Sequence, residues 1–196
     1  MGIGSIFKSV RKVIKSVVKI ITKPLSWLMP DIDIPDFGTT DFDDFEKGIL
    51  LNKQSNDASI PVIYGTRLVG GTRVFMETSG TDNTYLYMAL VMCEGEINGI
   101  SEIRVDDKVV TFASSLADNT AVEVGSSDAN FYKNSESLIR LEPHFGSDGQ
   151  SASSLLSTLS SWGSNHKLSG LAYLAIRFKW NQDAFNSIPK VQAKVQ

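Results

Sequence analysis

The sequence predicts a mainly β body with a small inserted α/β segment, preceded by an amphipathic N-terminal helix. Three observations point there. From residue 48 onward, apolar runs of strand length recur between Gly, Asn and Asp breakers. Residues 3–23 instead place apolar side chains at 4-3-4-3-4 spacing, a helical period. Between the two patterns lies a proline-bearing acidic stretch. The expected organisation is therefore a cationic helix over 1–29, an extended linker over 30–47 and a β body over 48–196, with 113–167 read as an insertion. A chain of 196 residues is long enough to bury a sizeable core.

The first segment carries Lys8, Arg11, Lys12, Lys15, Lys19 and Lys23 and no acid, hence +6; with a total of −3, the rest of the chain carries −9. Ile3, Phe7, Val10, Ile14, Val17 and Ile21 form a heptad seam, with Phe7, Ile14 and Ile21 at a and Ile3, Val10 and Val17 at d. Ile6, Val13 and Ile20 widen it at g, while lysines and serines occupy the opposite face. Pro24 ends the pattern. Such a helix can pack on its own body, associate with other copies in a bundle, or lie in a membrane surface. No stretch reaches the roughly 18 uncharged apolar residues of a membrane-spanning helix, and interleaved lysines do not fit a signal peptide. The chain is expected to be made and kept in a cytoplasm.

In the linker, seven acids (Asp31, Asp33, Asp36, Asp41, Asp43, Asp44, Glu46) face one lysine, and Pro30 and Pro35 forbid a regular helix. The acids at Asp31, Asp33 and Asp36 are not followed by the Asp/Asn at the fifth, Gly at the sixth and Glu at the twelfth position of a calcium-binding helix–loop–helix motif. Phe37, Phe42 and Phe45 are its aromatic anchors.

In the body, residues 60–64 form a short apolar run closed by Gly65, and Gly70-Gly71 reads as a β-turn. Residues 85–93 form a nine-residue apolar run expected as a buried central strand. Ile97, Ile100, Ile103 and Val105 lead into Asp106-Asp107, a hairpin turn before 108–112. Val122–Val124 and Leu138–Leu141 are short strand candidates. Leu155, Leu156, Leu159 and Trp162 suggest a helix over 151–162. Leu174, Ile176, Phe178 and Trp180 share one face of a strong strand by period two, and residues 190–196 alternate again.

Catalytic signatures are scarce. One Cys excludes a disulfide framework and a cysteine-rich zinc site, and two His leave few routes to a metal centre or triad. The glycines from Gly65 to Gly71 have phosphate-loop spacing, but Gly71 stands where the lysine must be. His144 and His166 lie in loop-like surroundings and read as surface or capping residues. Glu94 and Glu96 flank Gly95 with no opposing wall for glycoside hydrolysis. Cys93 reads as a buried small hydrophobe. The acidic body argues against specific nucleic-acid binding. No catalytic residue, cofactor or metal is expected.

Two strings go beyond pattern. Asn52–Asn56 with Ile60–Arg67 and Val69–Arg73, and Tyr85–Ile100 continuing into Ile103–Val110, resemble the start of phage tail-tip proteins of the host-specificity (J-like) family. In that family a strand runs into a Ser/Cys-Glu-Gly-x-Ile-x-Gly turn, matched here by Cys93, Glu94, Gly95, Ile97 and Gly99. The resemblance covers residues 48–112 well and 168–196 loosely.

The resemblance implies a hub- or tail-tube-like β domain in a homotrimeric central hub at the distal end of a siphophage tail. It implies contacts with distal tail and tail-tube proteins, the tape-measure protein and tail fibre proteins. It also implies a place in the virion after assembly in the host cytoplasm, and the setting of host attachment and genome ejection. Family members are usually longer, with host-binding regions towards the C-terminus, so this chain is expected to be a shortened member or an N-terminal part. Glu94, Gly95 and Gly99 are the expected hub turn, and the Ile3–Ile21 seam the expected association surface. A membrane-active protein using residues 1–29 is the alternative of a different class. A cell-wall hydrolase using Glu94 and Glu96 is a weaker third.

Overall fold

The computed structural model describes residues 59–196. The helix over 1–29, its seam and the linker over 30–47 lie outside the described residues. Eleven strands follow in chain order: β1 (Arg67–Gly70), β2 (Thr72–Ser79), β3 (Tyr85–Glu94), β4 (Ile100–Val105), β5 (Lys108–Val109), β6 (Val122–Glu123), β7 (Tyr132–Lys133), β8 (Glu136–Ser137), β9 (Ile139–Phe145), β10 (Leu171–Lys179) and β11 (Val191–Val195). A five-stranded sheet has the order β2-β3-β10-β9-β6, and a four-stranded sheet the order β1-β11-β4-β5. β7 and β8 form a separate hairpin, and every strand pair is antiparallel.

The two sheets share one core. Leu86, Met88, Leu90 and Met92 of β3 and Leu174, Ile176 and Phe178 of β10 meet Ile103 and Val105 of β4 and Val191, Ala193 and Val195 of β11. The expected central strand over 85–93 and the period-two face of 171–180 are both present, with Trp180 packed at the margin. β3 and β10 are also covered on their outer face. Tyr87, Ala89, Val91, Tyr173 and Ala175 pack under Leu155, Leu156, Leu159 and Trp162. Double coverage explains why these two strands are apolar runs rather than alternating ones.

Bulges correct the alternation elsewhere. Val195 pairs with Ile100 and Lys194 with Glu102, so Ser101 is the extra residue. That is how Ile100 and Ile103, three apart, both reach the core. A similar shift leaves Val74 unpaired on β2, half-exposed.

Three local expectations change. Gly70-Gly71 is not a turn: β1 pairs with β11 and β2 with β3, so the chain crosses between sheets there. A Cβ on Gly71 would lie 2.9 Å from Met92 Cε and 3.0 Å from Leu90 Cβ. The glycine serves a close approach rather than a reversal. Residues 60–64 form no strand, only a parallel bridge from Val62 to Glu94.

The helix expected over 151–162 is a 3-10 turn at Leu156–Thr158 within irregular chain. Its four apolar residues are buried as the spacing suggested. The hydroxyls compete with a helical ladder: Ser157 Oγ donates to the Ser153 carbonyl at 2.7 Å and Thr158 Oγ1 to the Leu155 carbonyl at 2.9 Å. Residues 113–167 also supply β6 and β9 to the larger sheet and Val122, Val124, Phe131, Ile139 and Leu141 to the shared core.

Candidate functional site

Glu94 ends β3, and Gly95 and Gly99 lie on the connection to β4. Gly95 has φ +92°, a conformation glycine adopts freely. Its N–H donates to the Gly170 carbonyl at 2.8 Å, and the Ile97 N–H donates to the Phe145 carbonyl at 2.9 Å. Gly99 N–H reaches the Gln196 carbonyl at 3.2 Å. The connection is thus tied at once to the end of β9, to the residue before β10 and to the residue after β11. A Cβ on Gly146, itself at φ +92°, would lie 2.5 Å from the Gly95 carbonyl oxygen. Glu94 and Glu96 are exposed, and the Glu94 N–H donates to the Pro61 carbonyl.

The surroundings of His144 differ from expectation. It lies within β9, fully buried, with its ring stacked on Tyr173 at 4.2 Å between centroids and 4° between planes. Its Nε2 is 3.4 Å from Glu142 Oε1, and Glu142 is only 2% exposed. That carboxylate accepts from Ser153 Oγ (2.8 Å), Ser154 N–H (3.1 Å), Ser154 Oγ (3.1 Å) and Leu155 N–H (2.7 Å). Burial pushes the Glu142 carboxyl up, but His144, the Leu155 amide and the two serines outweigh it and hold it at about 2. Burial and the nearby Glu142 charge push the Tyr173 hydroxyl up.

A buried ionised carboxylate persists only when its oxygens are satisfied. Here the donors come from the segment that covers the outer face of the sheet. The cluster is closed to solvent and ties the covering segment to β9. His166, by contrast, is exposed, and its Nδ1 accepts from the Gly163 N–H at 2.9 Å, the expected capping role. Cys93 is buried and its thiol is pushed up to about 11 by burial. Among the described residues, no group of three or more His, Cys, Asp or Glu could hold a metal ion. Among them too, no helix is long and apolar enough to cross a membrane.

The covering segment leaves one end of the outer face open. There Arg140 of β9 and Arg177 of β10 are direct cross-strand partners. Both guanidiniums approach the same oxygen, Glu123 Oε1, at 3.8 and 3.9 Å. Arg177 Cζ stands 5.1 Å from the Tyr85 ring centroid, and Lys179 pairs with Glu136. An open groove of about 470 Å³ runs past Tyr85, Glu123, Tyr132, Glu136, Arg177 and Lys179. Nothing in the sequence pattern signalled this group, because its members come from β3, β6, β7, β8, β9 and β10.

The chain matches no protein-family model. It is 24% identical over 176 residues to the baseplate hub protein pb3 of Escherichia phage T5, across 70% of this chain and 18% of that protein. The chain thus spans less than a fifth of the length of that relative. A chain in the virion of a native gene transfer agent particle shares the fold at a TM-score of 0.53 and 15% identity. That match covers 100% of this chain and 38% of that one.

Proposed function

We propose that the chain is a structural, non-enzymatic component of a phage tail, acting as the central hub at its tip. The likeness to a baseplate hub protein over 70% of the chain carries this reading. The fold shared with a virion chain and the resemblance of residues 85–110 to the start of host-specificity tip proteins support it. In this role the β body caps or lines the distal tail tube and meets the tail-tube, distal-tail, tape-measure and fibre proteins. The corner at Glu94, Gly95 and Gly99 serves as a rigid bend. Three copies of residues 3–23 bundle through Ile3, Phe7, Val10, Ile14, Val17 and Ile21, with their lysines facing acidic linkers.

The test is the symmetry of the assembled chain. Native mass spectrometry of the full chain should give trimers, and images of the particle should show it on the three-fold axis at the tail tip. Ile14→Asp should dissociate the isolated trimer. A stable monomer absent from purified tails would overturn the reading.

A further inference from the structure

We propose that the groove beside Arg177 binds the carboxylate side chains of an acidic peptide segment. Like charges placed directly opposite across a sheet repel, and Arg140 and Arg177 are so placed. Among the described residues their only shared counter-ion is Glu123, which is half-exposed and beyond hydrogen-bond distance of both. The buried Nε–H of each arginine has no acceptor among the described residues, while the rest of each guanidinium side chain stays partly exposed. The exposed terminal N–H groups, held 3.8 and 3.9 Å from Glu123, are left free to donate to an incoming carboxylate. The Tyr85 ring supports the Arg177 guanidinium, so its fork is oriented before a ligand arrives.

The balance of charge selects the class of ligand. In the groove lining Arg177 and Lys179 balance Glu123 and Glu136, and Arg140, the cross-strand neighbour of Arg177, adds one surplus positive charge beside it. That suits single carboxylates spaced along a peptide. It suits a polyphosphate backbone poorly, since Glu123 and Glu136 would repel it. Tyr85 and Tyr132 offer apolar surface for residues between the acids. Residues 31–46 of this chain have that chemistry, with seven acids interleaved with phenylalanines.

The experiment measures fluorescence anisotropy with a labelled peptide of the sequence 31–46. The host is the full chain with its own seven acids at 31–46 replaced by the matching amides, so that it cannot fill its own groove. Saturable binding is expected, weakening with salt. Arg177→Ala should weaken it about tenfold or more. Glu123→Gln removes the internal competitor and should tighten binding about two- to fivefold, a gain that misfolding cannot mimic. A peptide with amides at all seven positions should not bind. The proposal is overturned if the acidic peptide does not bind, or if neither variant changes its affinity. It is equally overturned if inorganic phosphate or a single-stranded oligonucleotide binds the groove in preference to the peptide.

Discussion

Glu142 and Gly146 show how single residues hold this fold. Glu142 bridges β9 to the covering segment through four hydrogen bonds. Removing it strands buried hydroxyl and amide donors, so Glu142→Ala should cost about 3 kcal/mol. Denaturant unfolding would measure that loss, and hydrogen exchange should show it first at the 153–155 amides. The carboxyl is held at about 2 against an ordinary value of 4.5. Its stabilising effect is therefore complete above about pH 4.5 and disappears as pH falls towards 2. The covering segment should loosen in that window in the wild type, and the Glu142→Ala protein should lose this part of its acid sensitivity.

Gly146 fails differently. A methyl there meets backbone, the Gly95 oxygen at 2.5 Å and the Ala172 nitrogen at 2.9 Å, and neither can swing aside as a side-chain end could. With the positive φ added, Gly146→Ala should cost about 3 kcal/mol, read as a lower denaturant midpoint. Neither residue's role was legible in the sequence. The string Glu142-Pro143-His144 reads as a polar loop, and Glu142's donors lie 11 to 13 residues away. Only the fold brings them under one carboxylate.

At the scale of elements, legibility followed burial. β3, β10 and β11 were plain because apolar runs and period-two alternation report directly on packed faces. The β4–β5 hairpin was equally plain. Asp106 and Asp107 have φ 49° and 62°, the two left-handed positions of a type I′ turn. Asp107→Gly should relieve the left-handed cost there and outweigh the exposed Lys190 pair it removes. A gain of about 0.5 kcal/mol is expected, seen as a higher denaturant midpoint at unchanged slope. The β7–β8 hairpin escaped because Asn134-Ser135, at φ 51° and 64°, is a weaker turn signal than Asn-Gly. The segment over 151–162 misled for another reason. An irregular chain that buries residues at every third or fourth step gives the same apolar spacing as a helix. Its serines and threonines decide between the two.

On the scale of the whole molecule, the β body follows from the sequence, but its division into two sheets does not. The crossing at Gly71 turns on the closeness of Met92 and Leu90, which sequence spacing cannot show. The groove beside Arg177 is likewise built from residues far apart in the chain. β1 makes the same point in time rather than space. Among the described residues its only partner strand is β11, and Arg67 faces Val195 across 128 positions. At roughly 5–20 residues per second of synthesis, β1 leaves the ribosome on the order of 10 seconds before its partner exists. The smaller sheet is thus a late event in the life of the chain. The five-stranded sheet waits for β10, whose last residue, Lys179, stands 16 positions before Val195, so both sheets are completed near the end of this stretch of chain.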